Sequence, residues 1–175
     1  MSTPARYDAV ARLLHWLIVT LVVAQFVIGW TMPDVHRDTQ PAGLIAAHLI
    51  VGTALLAAMA CRVLWRATHR PPPDELSPAM RTVSGATHFA LYALLIAVPL
   101  LGWINASSRA WAVTLFGAVP LPALSAAGSG FGHAMGDVHG ILAWVLFAGI
   151  CLHVAAAIVH RFVLRDRVMQ RMMPW

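Results

Sequence analysis

Long apolar runs alternate with short polar ones along this chain, and four of the runs reach the roughly 20 helical residues needed to cross a bilayer. They cover approximately residues 5–31, 41–66, 84–105 and 136–162. Thr3-Pro4 and Ser77-Pro78 each pair a capping hydroxyl with a proline suited to the first helical position, and Pro41 restarts a helix after a polar loop. The loop at 68–82 is proline-rich. The connection at 106–136 is rich in Gly, Pro and Ser yet still fairly apolar, and its 111–116 portion suits the membrane interface. GSGFG at 128–132 resembles a phosphate loop only superficially, because no strand leads into it. The pattern predicts an all-α integral membrane protein: one four-helix bundle over residues 1–175, with no separate soluble domain.

Composition agrees. Hydrophobic residues make up 59% of the chain and charged residues 11%, against about 25% charged in soluble domains. The net charge of +5 raises the question of nucleic acid, but the chain has no lysine and its arginines crowd the ends of the apolar runs. An even number of spans puts both termini on one side, together with the second connection. That side collects ten arginines, and the other has only Arg37 and Arg109. The positive-inside bias therefore predicts cytoplasmic termini. The first run lacks a small-x-small cleavage site and is kept as a span rather than a signal peptide. Cys61 and Cys151 fall inside apolar runs and outside any C-x-x-C-H sequence, which argues against covalent haem attachment and for packing thiols.

Histidines inside the apolar runs carry the chemistry. His139 and His153 are fourteen residues apart on the fourth run, so a helix returns to within about 40° of its starting face while advancing about 21 Å. His160 follows near that face. Ionisable groups at lipid depth are costly and mark function, and imidazoles facing a bundle core are usual axial ligands of haem iron. Two stacked imidazoles on one helix suggest two haems, one per leaflet. His15 lies about ten residues into the first run and His153 about eleven from the basic end of the fourth; His48 and His139 each lie six or seven from the outer side. Depth therefore pairs His15 with His153 and His48 with His139, a common way for bundles to build cofactor sites. His88 shares the inner depth and on spacing alone can replace His15. Arg62, fourteen residues after His48, returns to the same face at the inner level, where a haem propionate is a fitting anion. His88 and His160 keep several readings: structural hydrogen bonder, propionate partner or quinone contact. A lone histidine in a span is usually a hydrogen-bonded core residue, but four at matched depths point to haem. Zinc is disfavoured, since no cysteine or carboxylate joins them inside the spans.

ARLLHW, AAHLIVG, the H-x-x-x-Y followed by PLLG, and DVHGILAWVLFAGICLH stand on the four runs in order. Together with the closing RMMP they resemble the bacterial cytochrome b561 family over nearly the whole chain. The resemblance implies an inner-membrane cytochrome with two b haems on His15, His48, His139 and His153, which makes His88 a non-ligand. Some members are superoxide oxidases that take electrons from superoxide at the periplasmic face and reduce ubiquinone near the cytoplasmic face. By the same resemblance His160 lies at the quinone site, and Arg37 and Arg109 on the outer side are candidates to attract the anion. The alternative is a membrane-anchor subunit that carries electrons from a partner dehydrogenase or hydrogenase to quinone.

Overall fold

The structure, a computed structural model, describes residues 6–36, 38–73 and 76–173. Four helices carry the described chain: α1 (Ala9–Thr31), α2 (Leu44–Thr68), α3 (Pro78–Ser108) and α4 (Gly130–Phe162). Three of them start where a side chain can satisfy an orphan amide of the first turn. Asp8 Oδ1 accepts from the Ala11 N–H at 2.8 Å to open α1. Ser77 Oγ accepts from the Met80 N–H ahead of Pro78, as the Ser-Pro pair predicts. Ser129 Oγ accepts from the Gly132 N–H at 3.2 Å, so GSGFG is the beginning of a helix. The helix α2 starts without a side-chain cap, at Leu44 after Gly43 with φ +55°, rather than at Pro41. Thr3 and Pro4 lie outside the described residues, and the cap of α1 is Asp8.

The third and fourth helices begin at Pro78 and Gly130, ahead of the apolar spans at 84 and 136. Hydropathy marks where lipid begins, whereas caps mark where a helix begins, and these need not coincide. The long connection shrinks accordingly to 109–129 and holds an element absent from the sequence expectation. Thr114–Leu115 (β1) pairs antiparallel with Val119–Pro120 (β2), across a turn in which Phe116 and Gly117 have positive φ. The hairpin is tied to the bundle by Thr53 Oγ1, which donates to the Thr114 carbonyl at 3.0 Å. Trp103 and Trp111 pin the same connection through their indole N–H groups, to the carbonyls of Pro122 and Thr39.

Backbone contacts run α1–α2, α2–α3 and α3–α4 in chain order, while α1 and α4 nowhere bring their Cα atoms within 8 Å. The bundle is thus closed on three sides and separated on the fourth. A mid-bundle core of Ile18, Val22, Leu55, Ala58, Met59, Leu91, Leu95, Val98 and Leu146 holds the helices together. On the outside the rule for soluble proteins is inverted: Leu13, Phe89 and Leu152 are each about 70% exposed or more, whereas Arg62 and Thr53 are buried. That arrangement suits a hydrocarbon solvent. The two cysteines are free and lie on exposed faces.

Glycines let α4 approach α3 at the hairpin end. A Cβ on Gly136 would stand 2.7 Å from Asn105 Nδ2, and one on Gly132 would stand 2.5 Å from Ser108 Cβ. Asn105 uses the proximity, donating from Nδ2 to the carbonyls of Gly132 and His133. At the opposite end the chain's start, its second connection and its tail converge. The tail ends in a 3₁₀ turn, Met169–Arg171. The Tyr7 N–H donates to the Arg171 carbonyl, Trp16 Nε1 to the Met172 carbonyl, and Arg171 Nη2 to the Pro72 carbonyl at 2.6 Å.

Candidate cofactor-binding site

The upper half of the bundle brings His48 of α2 against His139 of α4, with ring centroids 6.0 Å apart and planes at 78°. Two imidazoles at that spacing could share one metal, whose bonds to ring nitrogen are about 2.1 Å long. Nδ1 of His139 lies 2.8 Å from the Val98 carbonyl oxygen, which can only accept, so the ring's proton is on Nδ1 and Nε2 is left for a metal. Two glycines make room for the rings. A Cβ on Gly102 would stand 3.1 Å from Cε1 and Nδ1 of His139, and one on Gly29 would stand 3.4 Å from Cε1 of His48.

Beside the pair, between the separated helices α1 and α4, lies a cavity of about 230 Å³. Its walls are apolar, with Val22, Phe26, Trp30, Ala143, Trp144 and Leu146 among them, and His48 and His139 stand at its edge. Trp30, Trp144, Phe26 and Phe147 close one side by ring contacts 5.2–6.1 Å between centroids. Paired imidazoles beside an apolar slot fit a flat, largely hydrophobic macrocycle with a central metal.

The lower half gathers the three histidines that depth placed at one level. His153 of α4 has the ring of His88 (α3) at 5.4 Å, with planes at 81°. His15 of α1 lies within electrostatic reach of Arg62, His153 and His88, and its ring touches Trp16 edge-on. Three imidazoles thus gather at the inner level. Nδ1 of His88 donates to the Ser84 carbonyl at 2.7 Å, one turn back on its own helix. Arg62 is 7% exposed and donates Nε–H to the Tyr92 hydroxyl at 2.7 Å and Nη1–H to the Ala11 carbonyl at 2.9 Å. The guanidinium is held by neutral acceptors from α1 and α3 and lies over the Tyr92 ring.

Of the remaining predicted residues, His160 ends α4 and pairs through Nδ1 with Asp166 Oδ2 at 2.5 Å. Arg109 is held at the hairpin end by Asn105 Oδ1 and the His36 carbonyl, with its guanidinium over the Trp111 ring. Arg37 lies outside the described residues. Sequence reasoning passed over Gln25, Gly29 and Asp166, and met Gly102 only as the end of PLLG. An amide inside an apolar run is itself a signal, and it was there to be seen at Gln25. Asp166 lies beyond the end of its helix, and no periodicity connects it to His160.

Comparison with known proteins accounts for this arrangement. The profile of the prokaryotic cytochrome b561 family matches residues 6–175. Cytochrome b561 homolog 2 of Escherichia coli is 30% identical over 176 residues, covering 98% of this chain and 93% of that protein. A probable superoxide oxidase, CybB, of Yersinia pestis is 29% identical, covering 97% and 96%. A cytochrome b562 of Cereibacter sphaeroides is 28% identical, covering 99% and 98%. Four apolar helices, a slot between two of them and half-buried imidazoles facing it belong together here: the chain is a multi-pass membrane protein of the prokaryotic cytochrome b561 family, whose members bind haem b and transfer electrons.

Proposed function

We propose that this chain is a di-haem b cytochrome of the inner membrane that oxidises superoxide at its outer face and reduces ubiquinone near its inner face, with both termini cytoplasmic. The observation that carries the two-haem reading is the placing of imidazoles on α4 at two levels, each facing imidazoles from other helices. His48 and His139 would hold the outer haem, and His15 and His153 the inner one. Haem b held there would supply one-electron redox chemistry, and holding it by two imidazoles would suit electron transfer rather than oxygen binding. The donor is supported by the likeness to a probable superoxide oxidase. The balance is two superoxide anions giving one electron each and leaving as two dioxygen molecules, while one ubiquinone takes both electrons and two protons to become ubiquinol.

The chain's own residues have distinct tasks in this scheme. Arg109 places a cation on the outer side, bonded to the carbonyl of His36, the residue that precedes Arg37 in the sequence. Arg62 offers its guanidinium to a propionate of the inner haem, exchanging neutral acceptors for an anion. His160, with Nδ1 hydrogen-bonded to Asp166, has Nε2 left to exchange a proton with quinone; His88 is a second carrier at that level. Arg62→Leu is expected to lower the potential of the inner haem, because losing a cation destabilises the reduced, more negative state. An unchanged potential in redox titration would remove the propionate contact.

Stopped-flow mixing of superoxide with the purified protein, with no partner present, tests the function. Superoxide is expected to reduce the haems, at a rate that falls as ionic strength rises. His160→Ala is expected to leave that phase intact and slow reoxidation by ubiquinone at least tenfold. If superoxide does not reduce the protein while a co-purifying dehydrogenase does, the chain is an anchor subunit passing electrons to quinone.

A further inference from the structure

Two buried polar atoms at the outer pair lack partners: Nδ1 of His48 and Oε1 of Gln25. They sit on residues that already touch. Gln25 Nε2 donates to the main-chain carbonyl of His48 at 3.1 Å, so the amide of α1 is moored to the peptide of the imidazole it faces. Because that carbonyl can only accept, the orientation of the amide is settled and Oε1 is its free end. The hypothetical Cβ of Gly29, one turn beyond Gln25, stands 3.7 Å from Nδ1 of His48. The Nδ1 edge of the ring therefore faces the stretch of α1 that carries Gln25.

The other member of the pair shows the same pattern completed. On α3, Val98 supplies the acceptor for His139 Nδ1–H, and Gly102, one turn later, leaves the space for the ring. On α1, Gly29 leaves the space and Gln25 stands one turn earlier. An imidazole that gives Nε2 to a metal carries its proton on Nδ1, and metal-bound histidines almost always donate that proton. His48 is then a buried donor in need of an acceptor, and Gln25 Oε1 a buried acceptor in need of a donor. Both residues also line a second, smaller cavity of about 30 Å³ toward α3, large enough for a bridging water, which needs roughly 10–15 Å³.

We propose that Gln25 is the positioning residue of the outer haem ligand: its Oε1 accepts the Nδ1–H of His48, directly or through one water, and thereby fixes the ring's tautomer and raises its basicity. The proposal rests on His48 being a haem ligand. A more basic imidazole stabilises the ferric state, so the interaction lowers the potential of the outer haem. It also explains why an amide is tolerated in the apolar middle of α1.

Two variants separate this role from mere packing. Gln25→Leu removes both the acceptor and the bond to the His48 carbonyl, whereas Gln25→Glu keeps an acceptor and loses only the donor. In spectroscopic redox titration, Gln25→Leu is expected to raise the outer potential by the equivalent of about a tenfold change in the reduced-to-oxidised ratio, about 59 mV for one electron, with the inner potential unmoved. Gln25→Glu is expected to restore the wild-type value or fall below it. If both variants raise the potential alike, or neither moves it, Gln25 only packs and the proposal fails. Should Gln25→Leu not hold haem, Gln25→Ala takes its place under the same criteria. His48→Ala distinguishes the premise: an outer haem that survives it overturns the ligand assignment itself, while a haem lost there beside unmoved Gln25 variants overturns only the role of Gln25.

Discussion

His139→Ala is expected to halve the haem content, from two per chain to one, leaving the inner haem with its low-spin spectrum. The expectation rests on the outer pair having one ring from α2 and one from α4, 6.0 Å apart, with an apolar slot beside them. His48→Ala is expected to do the same, because a single imidazole holds a haem far less tightly than two. The loss will not be a disguised unfolding. The substitution removes one hydrogen bond, from His139 Nδ1 to the Val98 carbonyl, a net contribution of about 1 kcal/mol, and the mid-bundle core does not include His139. Haem extraction and a pyridine haemochrome assay on each variant give the count. Two haems per chain in both variants would sink the pairing.

The second large effect is expected at the His15/His88/His153 cluster, where two of three imidazoles would hold the second haem of the proposed function. His153→Ala and His15→Ala are each expected to abolish the inner haem and cut superoxide-driven ubiquinone reduction by at least a hundredfold. His88→Ala is expected to retain the haem, with a smaller change in quinone turnover. The motive for the test is geometric: the ring facing His153 at 5.4 Å is that of His88, while the family resemblance assigns the ligand to His15. Nδ1 of His88 is already committed to the Ser84 carbonyl, which leaves its Nε2 equally able to face iron, so hydrogen bonding does not choose between them. A haem lost in His88→Ala and kept in His15→Ala would transfer the ligand to α3. Haem content decides the matter independently of turnover.

Much of this molecule is written along one dimension of the chain. Hydropathy located four spans because the transfer of each side chain to hydrocarbon is a local property, summed over a window. The histidines' depths followed from counting residues at a fixed rise, and the arginine imbalance from counting charges at span ends. Ser77-Pro78 announced the start of α3 because a cap needs only its own next turn. Where such local rules ran out, the sequence misled. Pro41 looked like a helix start, but α2 begins at Leu44. Residues 111–116 were read as interfacial, and the hairpin at 114–120 in the same connection went unseen, since its strands are two residues each and carry no alternation to detect.

Azimuth and neighbourhood were decided by the tertiary structure. Depth placed His15, His88 and His153 together without saying which rings meet, because that depends on how each helix is rotated by its packing against the others. The separation of α1 from α4 and the slot it leaves follow from packing across the bundle, and the neutral acceptors of Arg62 come from residues 30 and 51 positions away in the chain. His160 found Asp166 only because the chain turns back after Phe162. Gln25 and Gly29 were visible as letters, but their meaning lies in the imidazole that α2 sets against them. Composition along the chain fixed the solvent, the number of spans and the level of each imidazole; packing across it chose the partners, since a side chain's hydrogen bonds and metal ligands are settled by what stands within a few ångströms in space.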